Sequence, residues 1–381
     1  ELAVGRDGEN PWTSIIATVV VFVLLLVAVD INRTSPRPLY QERLARTFIK
    51  GNDDDDDEVP LEKANQSGLA PVHILNAALN IPGTSAATMR ERGCDFFSFT
   101  PFFCGAPTIG YAHTREWKSH NQRVTLDVAM AVSAAAASSR MGLYAMPGAA
   151  PLMTLLNVRL GYWMRKPWQE SFFNVPGAMQ LTSEMTKWRM EESKPWINLS
   201  DGGHIENTAA YELLRRRCKF ILSVDGEADA GFGFAGLMTL VRHARIDLGI
   251  HMEPMLNELR PKEKGGPSRS HFAIWKIHYP APKGHGPGPV GFFLYLKLSM
   301  TGNEPELIRT YQQKHPEFPH QSTADQFFDQ EQFEAYRSLG AHVAEMLFQP
   351  ALLRAPGDQG TPSSPADVKA FFTRIARNML Y

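Results

Sequence analysis

The segment Ser200-Asp201-Gly202-Gly203-His204 holds the side chains best placed by type and spacing to do chemistry. Asp201 follows a short apolar run, Ile197–Ser200, and precedes a helical pattern over Thr208–Arg217 with Asn207 as its expected cap. In open parallel sheets, ligands collect outside the carboxyl ends of strands, where Asp201 would stand. A carboxylate held there can act as general base toward a serine hydroxyl. Gly202 and Gly203 allow a tight, positive-φ turn and close approach of another backbone. The structural alternative is an aspartate that closes a strand–helix turn or caps the helix, and the spacing leaves both open. His204 suggests a Ser/His/Asp arrangement, but it lies only three positions from Asp201 and is locally constrained. Asp225 also ends an apolar run, one element later, and is the rival carboxylate. The sequence offers no nucleophile. It has no GxSxG elbow, and Ser133, Ser138 and Ser139 sit in an alanine-rich helical pattern without the glycines an elbow needs. The phosphate-loop pattern GxxxxGK[ST] is absent.

The elements that would position these residues read as a strand, helix, strand, helix, strand series. Ile197–Ser200, Phe220–Val224 and Leu248–Met252 are the strands, and Thr208–Arg217 and Phe234–Arg245 the helices. This alternation predicts an α/β fold with a mainly parallel sheet covered by helices. Phe272–Tyr279 and Val290–Leu298 read as further strands, joined by the Pro/Gly loop Pro280–Pro289, and Pro305–Gln313 and Gln330–Phe348 as helices. Thr125–Arg140 reads as a tightly packed helix, Leu152–Trp163 as an apolar helix, and Lys166–Lys194 as an irregular surface segment.

The N-terminal part differs in character. Ile15–Val29 is apolar except for Thr18, Trp12 stands where an interfacial anchor would, and Asp30 ends the run. A hydrocarbon core needs about 20 such residues, so a transmembrane helix is expected. The basic residues Arg33, Arg37, Arg43, Arg46 and Lys50 follow it, against Arg6 alone before it. That asymmetry is expected to place the globular part in the cytoplasm. The expected divisions are residues 1–33 (transmembrane segment and flanks), 34–69 (basic juxtamembrane helix and acidic loop), 70–356 (globular domain) and 357–381 (linker and last helix). Asp53–Glu58 is read as a solvated acidic loop.

Composition excludes some classes. The 381 residues are 44% hydrophobic and 21% charged, an ordinary globular balance, and a formal net charge of −1 argues against nucleic acid as partner. Cys94, Cys104 and Cys218 show no paired or metal-ligand spacing and read as free thiols, so neither cofactor nor metal is expected.

Several ordered blocks then carry a family resemblance. Ser200–Asn207 with Tyr211–Cys218 resembles the DGG region of patatin-like phospholipases of the large, membrane-bound bacterial branch. Asn76–Asn80 and Phe99–Phe102 resemble segments shared with the distantly similar cytosolic phospholipases; Leu126–Met141, Phe318–Phe328 and Gln332–Arg337 match further blocks in the same order. Together they span roughly residues 12–348. The resemblance implies part of a three-layer patatin-like fold and a lipid acyl hydrolase acting on phospholipid or lysophospholipid through a Ser–Asp dyad. Only the aspartate carries over, to Asp201, with Gly202 and Gly203 shaping its turn. The serine elbow and glycine-rich oxyanion loop would belong to an N-terminal half outside this sequence, so the isolated chain is expected to be inactive. The other readings are a non-catalytic lipid-binding or interaction module on the same fold, and a soluble α/β domain whose apolar segment is a core helix.

Overall fold

A computed structural model describes residues 11–50, 58–64, 71–119, 122–137, 156–171, 175–263, 265–281, 286–322, 328–349 and 368–380. The chain divides into two compact units, Glu1–Ile205 and Glu206–Tyr381, a boundary that falls inside the expected 70–356 span.

The first unit is built on strands that alternate little because both faces are covered. β1 (Leu75–Asn80) and β2 (Cys94–Phe99) are buried along almost their whole length. They pair antiparallel, with Leu75 opposite Phe99 and Asn80 opposite Cys94. β3 (Phe103–Ala106) and β4 (Gly110–His113) extend that side; a two-residue hairpin, β5 (Lys118–Ser119) and β6 (Gln122–Arg123), stands apart. β7 (Tyr162–Arg165) and β8 (Trp196–Asp201) complete the sheet in the order β4-β3-β2-β1-β8-β7. Every recorded pairing in it is antiparallel. Its core joins Phe97, Phe99, Leu79, Leu199 and Trp117, with Trp117 edge-on to Phe97 at 5.5 Å.

Helix α1 (Pro11–Ala28) forms where the apolar run predicts a helix, but the transmembrane expectation is corrected. Among the described residues no helix is long and apolar enough to cross a membrane. Its 18 residues rise roughly 27 Å, and Pro11–Ser14 are not part of the apolar run, so the apolar length falls short of the ~30 Å needed. α2 (Arg37–Phe48) follows, with Pro38 tolerated in its first turn. Arg37, expected on a basic face, is buried with its guanidinium 4.1 Å over the Tyr162 ring. Two short or late helices follow: α3 (Ala87–Arg90) and α4 (Leu126–Ser133). α4 ends well before Arg140, residues 138–155 lying outside the described set. The expected apolar helix Leu152–Trp163 is not formed over its described part, because β7 pairs Tyr162 and Trp163 with β8. The supposedly irregular stretch instead contains α5 (Ala178–Thr186), whose Gln180 side chain accepts from Gly177 N at 2.9 Å.

The second unit has its own sheet. β9 (Phe220–Asp225) lies parallel to β12 (Val290–Lys297), which pairs antiparallel with β11 (Phe272–His278), and β11 with β10 (His251–Met252). Helices α6 (Tyr211–Arg215), α7 (Ala235–Leu248), α8 (Glu306–Lys314), α9 (Gln330–Leu347) and α10 (Val368–Leu380) complete it. Phe272, Leu294 and Leu296 pack with Ile308, Leu339, Val343, Phe372 and Ile375 from α8, α9 and α10.

The architecture is therefore mixed α/β, but the mainly parallel sheet is corrected: among the described residues one strand pair is parallel, β9 with β12. The reading failed because β8 and β9, neighbours in sequence, enter different sheets. β8 takes as partner β1, far upstream, a choice that local succession does not encode.

Candidate functional site

β8 is held between β1 and β7, with Ala77 opposite Asp201 and Asn80 opposite Asn198. Its apolar residues Ile197 and Leu199 face the core. Asn198 and Ser200, two apart and so on the other face, join a buried polar seam. Asn80 Nδ2 donates to Asn198 Oδ1 at 2.9 Å and to Ser200 Oγ at 3.0 Å. Asn198 Nδ2 donates to Glu184 Oε1 at 3.3 Å. Glu184 Oε1 also accepts from Trp163 Nε1 at 2.5 Å and lies 3.3 Å from Arg159 Nε, both side chains being buried. The seam fixes the strand that carries Asp201.

Asp201 closes β8 and caps a 3-10 turn, Gly202–His204, by accepting from Gly203 N at 2.7 Å through Oδ1. Among the described residues this is the hydrogen bond recorded to its carboxylate. Burial pushes its pKa up to about 6, against the opposing pull of the Gly203 N–H. The cap of α6 is different from the expected one: Asn207 does not cap it, and Glu206 accepts from Tyr211 N at 3.2 Å.

Neither Gly202 nor Gly203 adopts positive φ, and Gly202 acts through space instead. A Cβ at Gly202 would stand 2.7 Å from Asn76 O, a backbone atom of β1 that cannot swing aside. Ser133, at the end of α4, donates to the same carbonyl at 2.7 Å. Its hydroxyl is thereby engaged; Ser138 and Ser139 lie outside the described residues. Tyr40 of α2 donates to Ala134 O at 2.8 Å. Burial, and then the charge of Asp201, push Tyr40 up to about 12. Sequence reasoning gave no sign of Tyr40, because α2 and the turn are far apart along the chain.

His204 does not join Asp201. Its Nε2 meets Ala136 O at 3.1 Å and its Nδ1 meets Ser200 Oγ at 2.9 Å. A carbonyl only accepts, so the network assigns the proton to Nε2 and makes Ser200 the donor to Nδ1. Burial lowers the His204 pKa to about 4, so the ring is neutral. Ser200, fully buried, is no accessible nucleophile.

Asp225, the rival, belongs to the second unit and is saturated. Oδ1 accepts from Glu227 N at 2.6 Å, and Oδ2 accepts from Tyr295 Oη and lies 3.3 Å from Lys297 Nζ. Lys297 is fully buried and also donates to Glu227 O at 2.7 Å. This is a packed ion pair in which both carboxylate oxygens are engaged.

In the first unit a cavity of about 280 Å³ is lined by Pro38, Gln41, Ala45, Ile49, Val59 and Asp127 among others, and Asp201 is not part of its lining. Cys94, Cys104 and Cys218 are free thiols; burial pushes Cys94 up to about 12 and Cys104 to about 11, which makes both unreactive.

No protein-family model and no curated protein sequence matches the chain. Among solved structures, the human GIVD cytosolic phospholipase A2 is similar with a TM-score of 0.49 and 12% sequence identity, covering 95% of this chain. The chain spans about half, 51%, of the length of that structure's chain.

Proposed function

We propose that this chain carries the carboxylate of a lipid acyl hydrolase, with Asp201 serving a serine that a segment outside this sequence supplies. The observation that carries the reading is the state of Asp201. Its carboxylate stands at a strand end, is tied by one backbone donor, and has its pKa lifted by burial to about 6. A general base works best with a pKa near the operating pH, where it is ionised yet still takes up a proton. An aspartate that only closed a turn would have both oxygens filled, as Asp225 does.

In this reading Asp201 accepts the serine proton as the serine oxygen attacks the ester carbonyl carbon. It returns that proton to the departing alcohol, and then activates water to release the acyl group. His204 takes no part, since both ring nitrogens are engaged. The blocks around Asp201 that resemble patatin-like enzymes point to phospholipid or lysophospholipid esters as substrates. Exposed Trp12, Ile15, Ile16, Val19 and Val20 on α1 offer an apolar face to a lipid surface, where such a substrate is met.

The test is Asp201→Asn in the full-length protein that includes the serine-bearing segment. Phospholipid hydrolysis should fall by roughly 10²–10⁴-fold with folding intact. The 381-residue chain by itself should not react with a fluorophosphonate serine probe. Turnover of Asp201→Asn within a few-fold of wild type would overturn the reading and favour a non-catalytic lipid-binding module.

A further inference from the structure

The second unit holds a cluster that takes no part in the chemistry of Asp201. His271 immediately precedes β11, Glu304 lies in the loop between β12 and α8, and His342 lies on α9. One possible ligand atom from each lies within 4.8 Å of the other two. His271 Nε2 is 3.7 Å from Glu304 Oε1, and both side chains are buried. The two imidazole rings meet edge-on at 5.6 Å. His271 Nδ1 faces Ser299 Oγ at 3.5 Å, which leaves Nε2 toward the centre.

The loop Thr301–Glu304 completes the cluster with neutral oxygens. Asn303 Oδ1 is 3.0 Å from His342 Nε2. The Thr301 hydroxyl lies 3.0 Å from His271 Nε2, 2.8 Å from Asn303 Oδ1 and 3.1 Å from Glu304 Oε1. Glu304 is held by backbone donors, Thr301 N at 2.5 Å and Gly302 N at 2.9 Å. The recorded ion-pair partner of Glu304, among the described residues, is His271. Among the described residues this buried carboxylate faces two imidazoles, and buried charges are commonly paired or bound to metal.

We propose that His271, Glu304 and His342 bind a divalent cation, zinc being the ion the donor set fits best, with Asn303 Oδ1 or a water as the fourth ligand. Two imidazoles and a carboxylate are a common zinc donor set, with bonds of about 2.0–2.2 Å. Closing the cluster onto such an ion needs side-chain movement of roughly 1 Å and rotation of the Thr301 hydroxyl to the outer shell. The ion would tie the end of the β11–β12 pair to α9 and to the loop entering α8. The three residues lie far apart in sequence, which is why no spacing motif announces them.

The test uses the metal-stripped 381-residue chain, titrated with zinc by calorimetry and with cobalt by visible absorption. One equivalent should bind, with the ligand-field bands of a four-coordinate site. His342→Gln and Glu304→Gln should each weaken zinc binding by at least about tenfold, the lower bound for disturbing a metal shell. His342 is half-buried on a helix, so His342→Gln should keep its circular dichroism and serve as the decisive variant should Glu304→Gln fail to fold. His251→Gln controls for the exposed His251–Glu253 pair of the same unit and should leave binding unchanged. No stoichiometric binding would overturn the proposal. So would binding that survives His342→Gln, or that is lost only in His251→Gln.

Discussion

Replacing Asp201 with asparagine should make the first unit more stable at neutral pH, by an amount that grows with pH. The carboxylate pKa is lifted from 3.8 to about 6. At about 1.4 kcal/mol per unit, a shift of this size bounds the penalty of the ionised form at about 3 kcal/mol. Because Asp201 is half-buried, and water relieves part of that penalty, we expect about 1–3 kcal/mol. Asparagine keeps the Oδ1 acceptor for Gly203 N and drops the charge. The sign follows from proton binding. The folded state binds the Asp201 proton more tightly than the unfolded state, so this group's contribution falls as pH rises from about 4 to about 6. His204 acts in the opposite direction. Its folded pKa of about 4 lies below the ordinary 6.5, so its contribution is present above 6.5 and is lost as pH falls toward 4. The two trends partly cancel in the wild type. Asp201→Asn should therefore match wild type near pH 4, exceed it above about pH 6, and uncover a rising slope from His204. The assay is urea denaturation over that range, followed by tryptophan fluorescence, which favours the first unit because every tryptophan but Trp275 lies there. A variant less stable than wild type by the same amount at every pH would refute the reasoning. It would mean that the carboxylate serves only to close the turn.

Gly202→Ala should destabilise by about 1–3 kcal/mol, because its Cβ would stand 2.7 Å from Asn76 O. Gly340→Ala, inside α9 with open space around the new Cβ, should stabilise by about 0.5–1 kcal/mol; urea midpoints of the two variants check the contrast. Glu184→Gln leaves the buried Arg159 guanidinium without its carboxylate and should cost about 3–5 kcal/mol, measured by the same denaturation.

The DGG turn was legible in the sequence because its determinants are local. An apolar run, an aspartate and two glycines give a strand end, a cap and a close approach, and β8 and the turn formed there. β9, β11, β12, α8 and α9 were likewise placed within a residue or two, since each has a clear period or a Pro/Gly boundary. Strand partners were not legible. Ala77 opposite Asp201 and Phe292 opposite Phe220 are choices among distant segments, decided by burial of whole faces. At Gly202 the expected close approach of another backbone is made by Asn76 O, whereas the expected positive φ is not adopted. The electrostatic state of Asp201 was not legible either, since it depends on tertiary burial. Leu152–Trp163 has helical apolar content, yet Tyr162 and Trp163 are claimed by β8, an instance of pairing overriding propensity.

The central claim is that Asp201 is the base of an acyl transfer, and the pH dependence of that transfer tests it most directly. In the full-length protein, kcat/KM for phospholipid hydrolysis should rise along an acidic limb set by a group titrating at about 6. In Asp201→Asn that limb should vanish along with most of the rate. An acidic limb of unchanged position and height in Asp201→Asn would contradict the account.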